Sequence, residues 1–176
     1  MAAIDYLPHY TYDDYKQWEG RWELIYGVPY AMSPAPMIRH QQVSNKIAWQ
    51  LQELLDDCEE CMALLPVDWK ISEDTIVQPD NLVYCGEFTN QAYITKAPRI
   101  IFEVLSPSTA IKDANLKFEL YEREGVRYYV IVDPKDNVAH IYENVEGRFV
   151  KRADATKESF TFEFECPIEF DFSKVW

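Results

Sequence analysis

The chain has 176 residues, 48% apolar and 15% aromatic, enough to bury a core as one domain without staples. Its 30 acidic and 17 basic residues leave a net charge of −13, which excludes a protein that coats nucleic acid nonspecifically. No apolar run approaches the roughly 18 residues needed to span a membrane, and residues 1–15 lack a basic stretch followed by an apolar core, so the protein is expected to be soluble and cytoplasmic.

Thr11 with Asp14 has the form of a capping box and starts a short helix running through Trp18. Residues 22–27 read as a strand closed by a glycine turn, and 28–32 pair back on it as a hairpin. Ser33-Pro34-Ala35-Pro36 is a loop. Over residues 38–57 the apolar Val43, Ile47, Leu51, Leu54 and Leu55 recur at spacings of three and four. Gln42, Lys46, Gln50 and Glu53 fill the other face, so the segment predicts an amphipathic helix.

Cys58 and Cys61 have the CxxC spacing, but the second pair of a zinc ribbon is absent; with Cys85 and Cys166 they read as reduced thiols of a cytosolic protein. Strands are expected over residues 63–71 and, entered through Pro79, over 80–85. The run 99–105 is apolar on both alternating faces and predicts a central strand covered on two sides. Ser106-Pro107-Ser108-Thr109 offers caps for a helix that runs to about Glu124 and stops at Gly125. Strands over 127–132 and 138–142 flank a turn at Pro134-Lys135-Asp136-Asn137. A hairpin at Glu146-Gly147 and the alternating Phe160, Phe162 and Phe164 complete a β-rich end. No linker or repeat is visible, so a single domain over 1–176 is expected, of α/β (α+β mixed) class with a mixed sheet flanked by helices.

One residue contradicts its surroundings. Glu103 shares a strand face with Ile101 and Leu105, and desolvating a carboxylate there costs several kcal/mol unless a cation or donors compensate. Burial alone leaves two readings open, an internal salt bridge or a metal ligand. Asp80 opens the preceding strand, so both carboxylates can reach one point near the strand ends. Oxygen donors of this kind suit Mg²⁺ or Mn²⁺. Lys117 sits mid-helix at the edge of the core-facing stripe, with Tyr121 one turn later on the same flank. Its ordinary reading is an exposed partner of Asp113. His40 falls in the first turn of the long helix, where a histidine is more often a packing residue than a ligand. His9 and His140 carry no signal.

Taken together, Trp22-Glu23-Leu24-Ile25 with Gly27, Met32-Ser33-Pro34, His40-Gln41, Pro79-Asp80, Glu103-Val104-Leu105-Ser106-Pro107-Ser108-Thr109, Asp113, Lys117, Tyr121, Gly125-Val126 and Val132-Asp133-Pro134 resemble the Uma-two family of restriction-endonuclease-like proteins. That family is similar to the PD-(D/E)XK nucleases. The resemblance implies a restriction-endonuclease-like central sheet and a metal-dependent endonuclease that hydrolyses DNA phosphodiesters. It implies that Asp80, Glu103 and the Val104 carbonyl hold Mg²⁺ or Mn²⁺, with Glu23 a further catalytic carboxylate that orients a water on the metal or ligates a second ion. His40 and Tyr121 would contact phosphate or support the site. Where the superfamily pattern has lysine this chain has Leu105, and the resemblance implies that Lys117 takes over the lysine function. Cutting both strands of a duplex favours a homodimer. Two rival readings stand beside this one. The first is an inactive nuclease scaffold that only binds, suggested by Leu105 and the acidic surface. The second is an oligomeric interaction protein that pairs through Phe160, Phe162, Phe164, Phe170 and Trp176, whose ordinary reading is core.

Overall fold

The computed structural model describes residues 7–32, 36–87, 90–106 and 110–176, with side chains from 115 in the last stretch. Ser33, Pro34 and Ala35 of the expected loop, and Pro107, Ser108 and Thr109 among the expected caps, lie outside the described residues, as does the Asp113 side chain. In chain order the elements are α1 (Tyr12–Tyr15), β1 (Trp22–Ile25), β2 (Val28–Ala31), α2 (Ile38–Leu54), β3 (Cys61–Leu64), β4 (Asp68–Ser72) and β5 (Thr75–Val77). There follow β6 (Asn81–Cys85), β7 (Tyr93–Ile94), β8 (Ile100–Val104), α3 (Ala110–Arg123), β9 (Tyr128–Asp133) and β10 (Val138–Val145). The chain closes with β11 (Arg148–Ala155), β12 (Ser159–Phe162), β13 (Ile168–Asp171) and a 3₁₀ turn, Phe172–Lys174.

The contacts divide the chain into two compact units, one of Met1–Ala35, Val67–Gln78 and Gln91–Lys96, the other of Pro36–Pro66, Pro79–Asn90 and Ala97–Trp176. In the first, β2-β1-β5-β4-β7 form a sheet over a small core of Tyr15, Leu24 and Ile76. Thr11 and Asp14 form the expected box, the Thr11 N–H donating to Asp14 Oδ2 at 2.9 Å, but α1 ends at Tyr15. The turn from β1 to β2 uses Gly27 at φ +78°, and a Cβ there would stand 2.5 Å from the His9 ring.

In the second unit six strands pair in the order β11-β10-β9-β8-β6-β3. β8 and β9 run parallel and the other pairs antiparallel, which makes the mixed sheet expected from sequence. A parallel pair needs a crossover, and α3 supplies it. Glu146 and Gly147 both take positive φ, the geometry of a tight two-residue hairpin between β10 and β11. One face of the sheet, with Val83, Ile100, Phe102, Val104, Val130 and Val132, packs with Val43, Ile47 and Leu51 of α2. Phe162, Phe170 and Phe172 are fully buried in the same core. The interface reading of Phe162 and Phe170 is therefore overturned, because each completes the apolar cover of this sheet face.

Three further expectations change. The strand expected over 63–71 is two strands in two sheets, broken around Pro66, which has no N–H for a ladder. Gln50, expected on the polar face of α2, is buried; its amide donates to the Asp171 carbonyl at 2.9 Å and accepts from the Asp171 N–H at 2.7 Å. The cysteines are not free thiols, since Cys58 pairs with Cys166 and Cys61 with Cys85. Spacing along the chain hides this arrangement, because Cys85 is the register partner of Cys61 across β6 and β3.

Candidate active site

The candidate site gathers at the ends of β6 and β8, with Glu103 on the face of the six-stranded sheet opposite α2. Along β8 the residues alternate, so Ile100, Phe102 and Val104 face α2 while Glu103 turns the other way. On that side α3 presents Lys117 and Tyr121, one helical turn apart and both buried. Glu103 Oε1 accepts from the Tyr121 hydroxyl at 2.8 Å and from the Lys117 amine at 3.3 Å. Tyr121 is itself fixed edge-on against Tyr129 of β9, with ring centroids 5.1 Å apart. The Lys117 side chain is 8% exposed and that of Glu103 12%. At that burial the ammonium is a fixed local charge, not the solvent-facing helix partner of the ordinary reading.

Asp80 lies one residue before β6 rather than opening the strand, which starts at Asn81. Its Oδ2 accepts the Val104 N–H at 2.8 Å and stands 3.3 Å from His40 Nε2. Burial by itself would raise the Asp80 carboxyl. The hydrogen bond and charge of His40, the Val104 N–H and the charge of Lys117 outweigh it and hold its pKa below the ordinary value. Burial would likewise lower His40, but the hydrogen bond and charge of Asp80, with Gln41 and Glu103, raise it above its ordinary value.

Asp80, His40, Val104, Glu103, Lys117 and Tyr121 are thus joined in one chain of contacts. His40 holds Asp80, Asp80 holds the backbone of the residue after Glu103, and Glu103 is held by Lys117 and Tyr121. Among the described residues no three His, Cys, Asp or Glu ligand atoms gather within 4.8 Å of one another here. The donor set is two carboxylates and a backbone. It fits a small hard cation that keeps waters on its remaining positions, and it does not fit a soft-metal cage.

Glu23 belongs to the first unit, where it is buried and its Oε1 accepts from the Gln78 N–H at 3.1 Å. Sequence reasoning missed the cavity beside His40. It measures about 410 Å³ and is lined by Met37, Arg39, Leu105, Ser106, Asp133, Pro134 and Lys135. Leu105 therefore lines this cavity. Arg39 donates to Asn137 at 3.1 Å, tying the start of α2 to the β9–β10 turn. The trace of this in the sequence was the Pro134-Lys135-Asp136-Asn137 turn, which says nothing of what lies opposite.

No curated protein matches the chain. Among solved structures it is similar to the crystal structure of a nuclease described as putative, belonging to DUF820, from Anabaena variabilis ATCC 29413. The TM-score is 0.75 at 15% identity, over 94% of this chain and 96% of that one, a likeness of fold. A weaker likeness, to a chain of the DrdV–DNA complex, has TM-score 0.36 and 16% identity over 66% of this chain and 12% of that one, too low to bear on the fold. Among the described residues no helix is long and apolar enough to cross a membrane. A family model, Uma2, "Putative restriction endonuclease", matches residues 12–168, and the chain belongs to that family.

Proposed function

We propose that the protein is a Mg²⁺- or Mn²⁺-dependent endonuclease that hydrolyses DNA phosphodiesters. One observation carries this reading: two partly buried carboxylates from adjacent strand ends and a buried amine share one network on a nuclease-like fold. Asp80, Glu103 and the Val104 carbonyl would hold the cation. When bound, it supplies Lewis acidity at a phosphodiester and offsets the repulsion between phosphate and this acidic chain.

The chain's own residues do the rest. Tyr121 and Lys117 fix the Glu103 carboxylate in one orientation, and His40 with the Val104 N–H fixes that of Asp80. The Lys117 amine, 3.3 Å from Glu103 Oε1, would orient the attacking water or meet charge growing on the phosphate oxygens, a role that a preorganised donor in a water-poor site performs well. Leu105 cannot supply that amine, so Lys117 carries it from α3. Glu23, the carboxylate that would orient a water on the metal or ligate a second ion, is tested by its own variant. We further propose a homodimer, which would present two sites to a duplex.

The test is cleavage of supercoiled plasmid with Mg²⁺ or Mn²⁺. The wild type should nick and linearise it, and Asp80→Ala and Lys117→Ala should lower the rate by at least a hundredfold, as loss of one electrostatic donor does elsewhere. Wild type and variants that leave DNA equally intact across metals would instead favour the binding scaffold suggested by Leu105. Glu23→Gln in the same assay reads that residue's share.

A further inference from the structure

We propose that Cys58, Cys61, Cys85 and Cys166 form, in the reduced protein, a thiolate site for one Zn²⁺ ion, and that the two disulfides are the metal-free, oxidised state of that site. The four come from three separate stretches: the loop into β3 with β3 itself, the end of β6, and the approach to β13. The sulfurs of Cys58, Cys61 and Cys166 lie within 4.8 Å of one another, and Cys85, bonded to Cys61, adjoins this group but stands farther from Cys58 and Cys166. Four sulfurs about 2.3 Å from a tetrahedral zinc stand about 3.8 Å apart. Opening the two S–S bonds and relaxing the side chains by rotamer changes brings the set towards that spacing.

Two further features point to a metal. Cys58 and Cys61 have the CxxC spacing, and the Cys61 N–H donates to Cys58 Sγ at 3.2 Å, a bond that favours a thiolate on Cys58. Cys61 and Cys85 are buried, 4% and 8% exposed, and buried thiolates need a cation beside them. The second Cys pair that a zinc ribbon requires, absent from the linear sequence, is supplied by tertiary structure as Cys85 and Cys166. Carboxylates stand close by. Glu60 Oε2 is 3.2 Å from Cys166 Sγ, and a Glu165 oxygen lies within 4.8 Å of the Cys61 and Cys85 sulfurs. Glu165 is already paired with Arg99 at 2.9 Å, so Glu60 is the carboxylate that adds to the negative potential a divalent cation would offset.

The interconversion balances. Each disulfide accepts two electrons and two protons from a thioredoxin-class dithiol, which is oxidised to a disulfide as the S–S bond breaks and two S–H groups form. Zinc then displaces the four thiol protons as four Zn–S bonds form. This site is separate from the carboxylate network and does not rest on the nuclease reading.

The experiment uses the full chain carrying Asp80→Ala and Glu103→Ala, so that no carboxylate site competes. The chain is reduced with a phosphine, loaded with Zn²⁺ or Co²⁺ and freed of excess by gel filtration. One zinc per chain by elemental analysis, and an intense sulfur-to-cobalt charge-transfer band with tetrahedral d–d bands, are the expected results. Peroxide should expel the metal and restore two disulfides by mass. Cys85→Ser and Cys166→Ser should each weaken retention at least tenfold. If either variant fails to fold, the zinc X-ray absorption edge of the all-cysteine chain still reads a four-sulfur shell. No retained metal, a two-sulfur shell, or a charge-transfer band unchanged in both serine variants overturns the proposal.

Discussion

Glu103 is satisfied by an ammonium and a phenol at once, and that sets what its neighbours' substitution should do. Lys117→Met keeps the packed stem but leaves a buried carboxylate short of its counter-charge. Breaking a buried pair in this way costs about 3–5 kcal/mol. Urea unfolding in EDTA should show a loss of that order, and adding Glu103→Gln should recover most of it while cleavage stays absent. A double variant no more stable than Lys117→Met would show that the pair is not the source of the loss.

The neighbouring pair carries a pH signature. His40 is raised above its ordinary 6.5, so its contribution is complete below that value and fades as pH rises through the elevated one. Asp80 is held below its ordinary 3.8, so its contribution is complete above that value and fades as pH falls through the lowered one. The pair therefore stabilises most between 3.8 and 6.5. In metal-free protein, unfolding free energies of wild type minus His40→Ala should peak in that window. A flat difference from pH 3 to pH 9 would contradict it.

At the scale of elements, α2 is held to β13 by more than its apolar stripe. Both ends of the Gln50 amide replace a strand partner for the Asp171 backbone, so Gln50→Leu strands a buried N–H and carbonyl. A loss of about 1–3 kcal/mol follows. Amide exchange should localise it to residues 168–171, and protection unchanged there would refute the role. In the first unit Gly27→Ala meets the His9 ring at a left-handed φ, and thermal unfolding should fall accordingly. Much at this scale was legible beforehand. The stripe at spacings of three and four located α2, the doubly apolar run located β8, and Gly147 located the β10–β11 hairpin. Gln50 was misread because periodicity assigns a face by residue type, whereas a buried amide is allowed wherever both its groups find partners.

For the whole molecule, cation binding by the native state alone should raise its stability by mass action, about 2.7 kcal/mol at a hundred times the dissociation constant. Titrating Mn²⁺ in a thermal-shift experiment should raise Tm in the wild type and not in Glu103→Ala. Light scattering on the same samples should give the mass of two chains, and a monomer at all concentrations would remove the proposed pairing of sites. The carboxylates, the inward lysine and the mixed sheet were determined by the sequence itself. Strand alternation and helix periodicity are local geometry, and a charged residue that breaks an apolar pattern is visible in one dimension. Only the tertiary structure decided that Asp80 grips the Val104 N–H, that Leu105 lines a cavity beside His40, and that Cys85 and Cys166 meet Cys58 and Cys61. Such contacts join residues tens of positions apart, and what selects them is the need of each buried polar or sulfur group for a partner in space, which no spacing along the chain records.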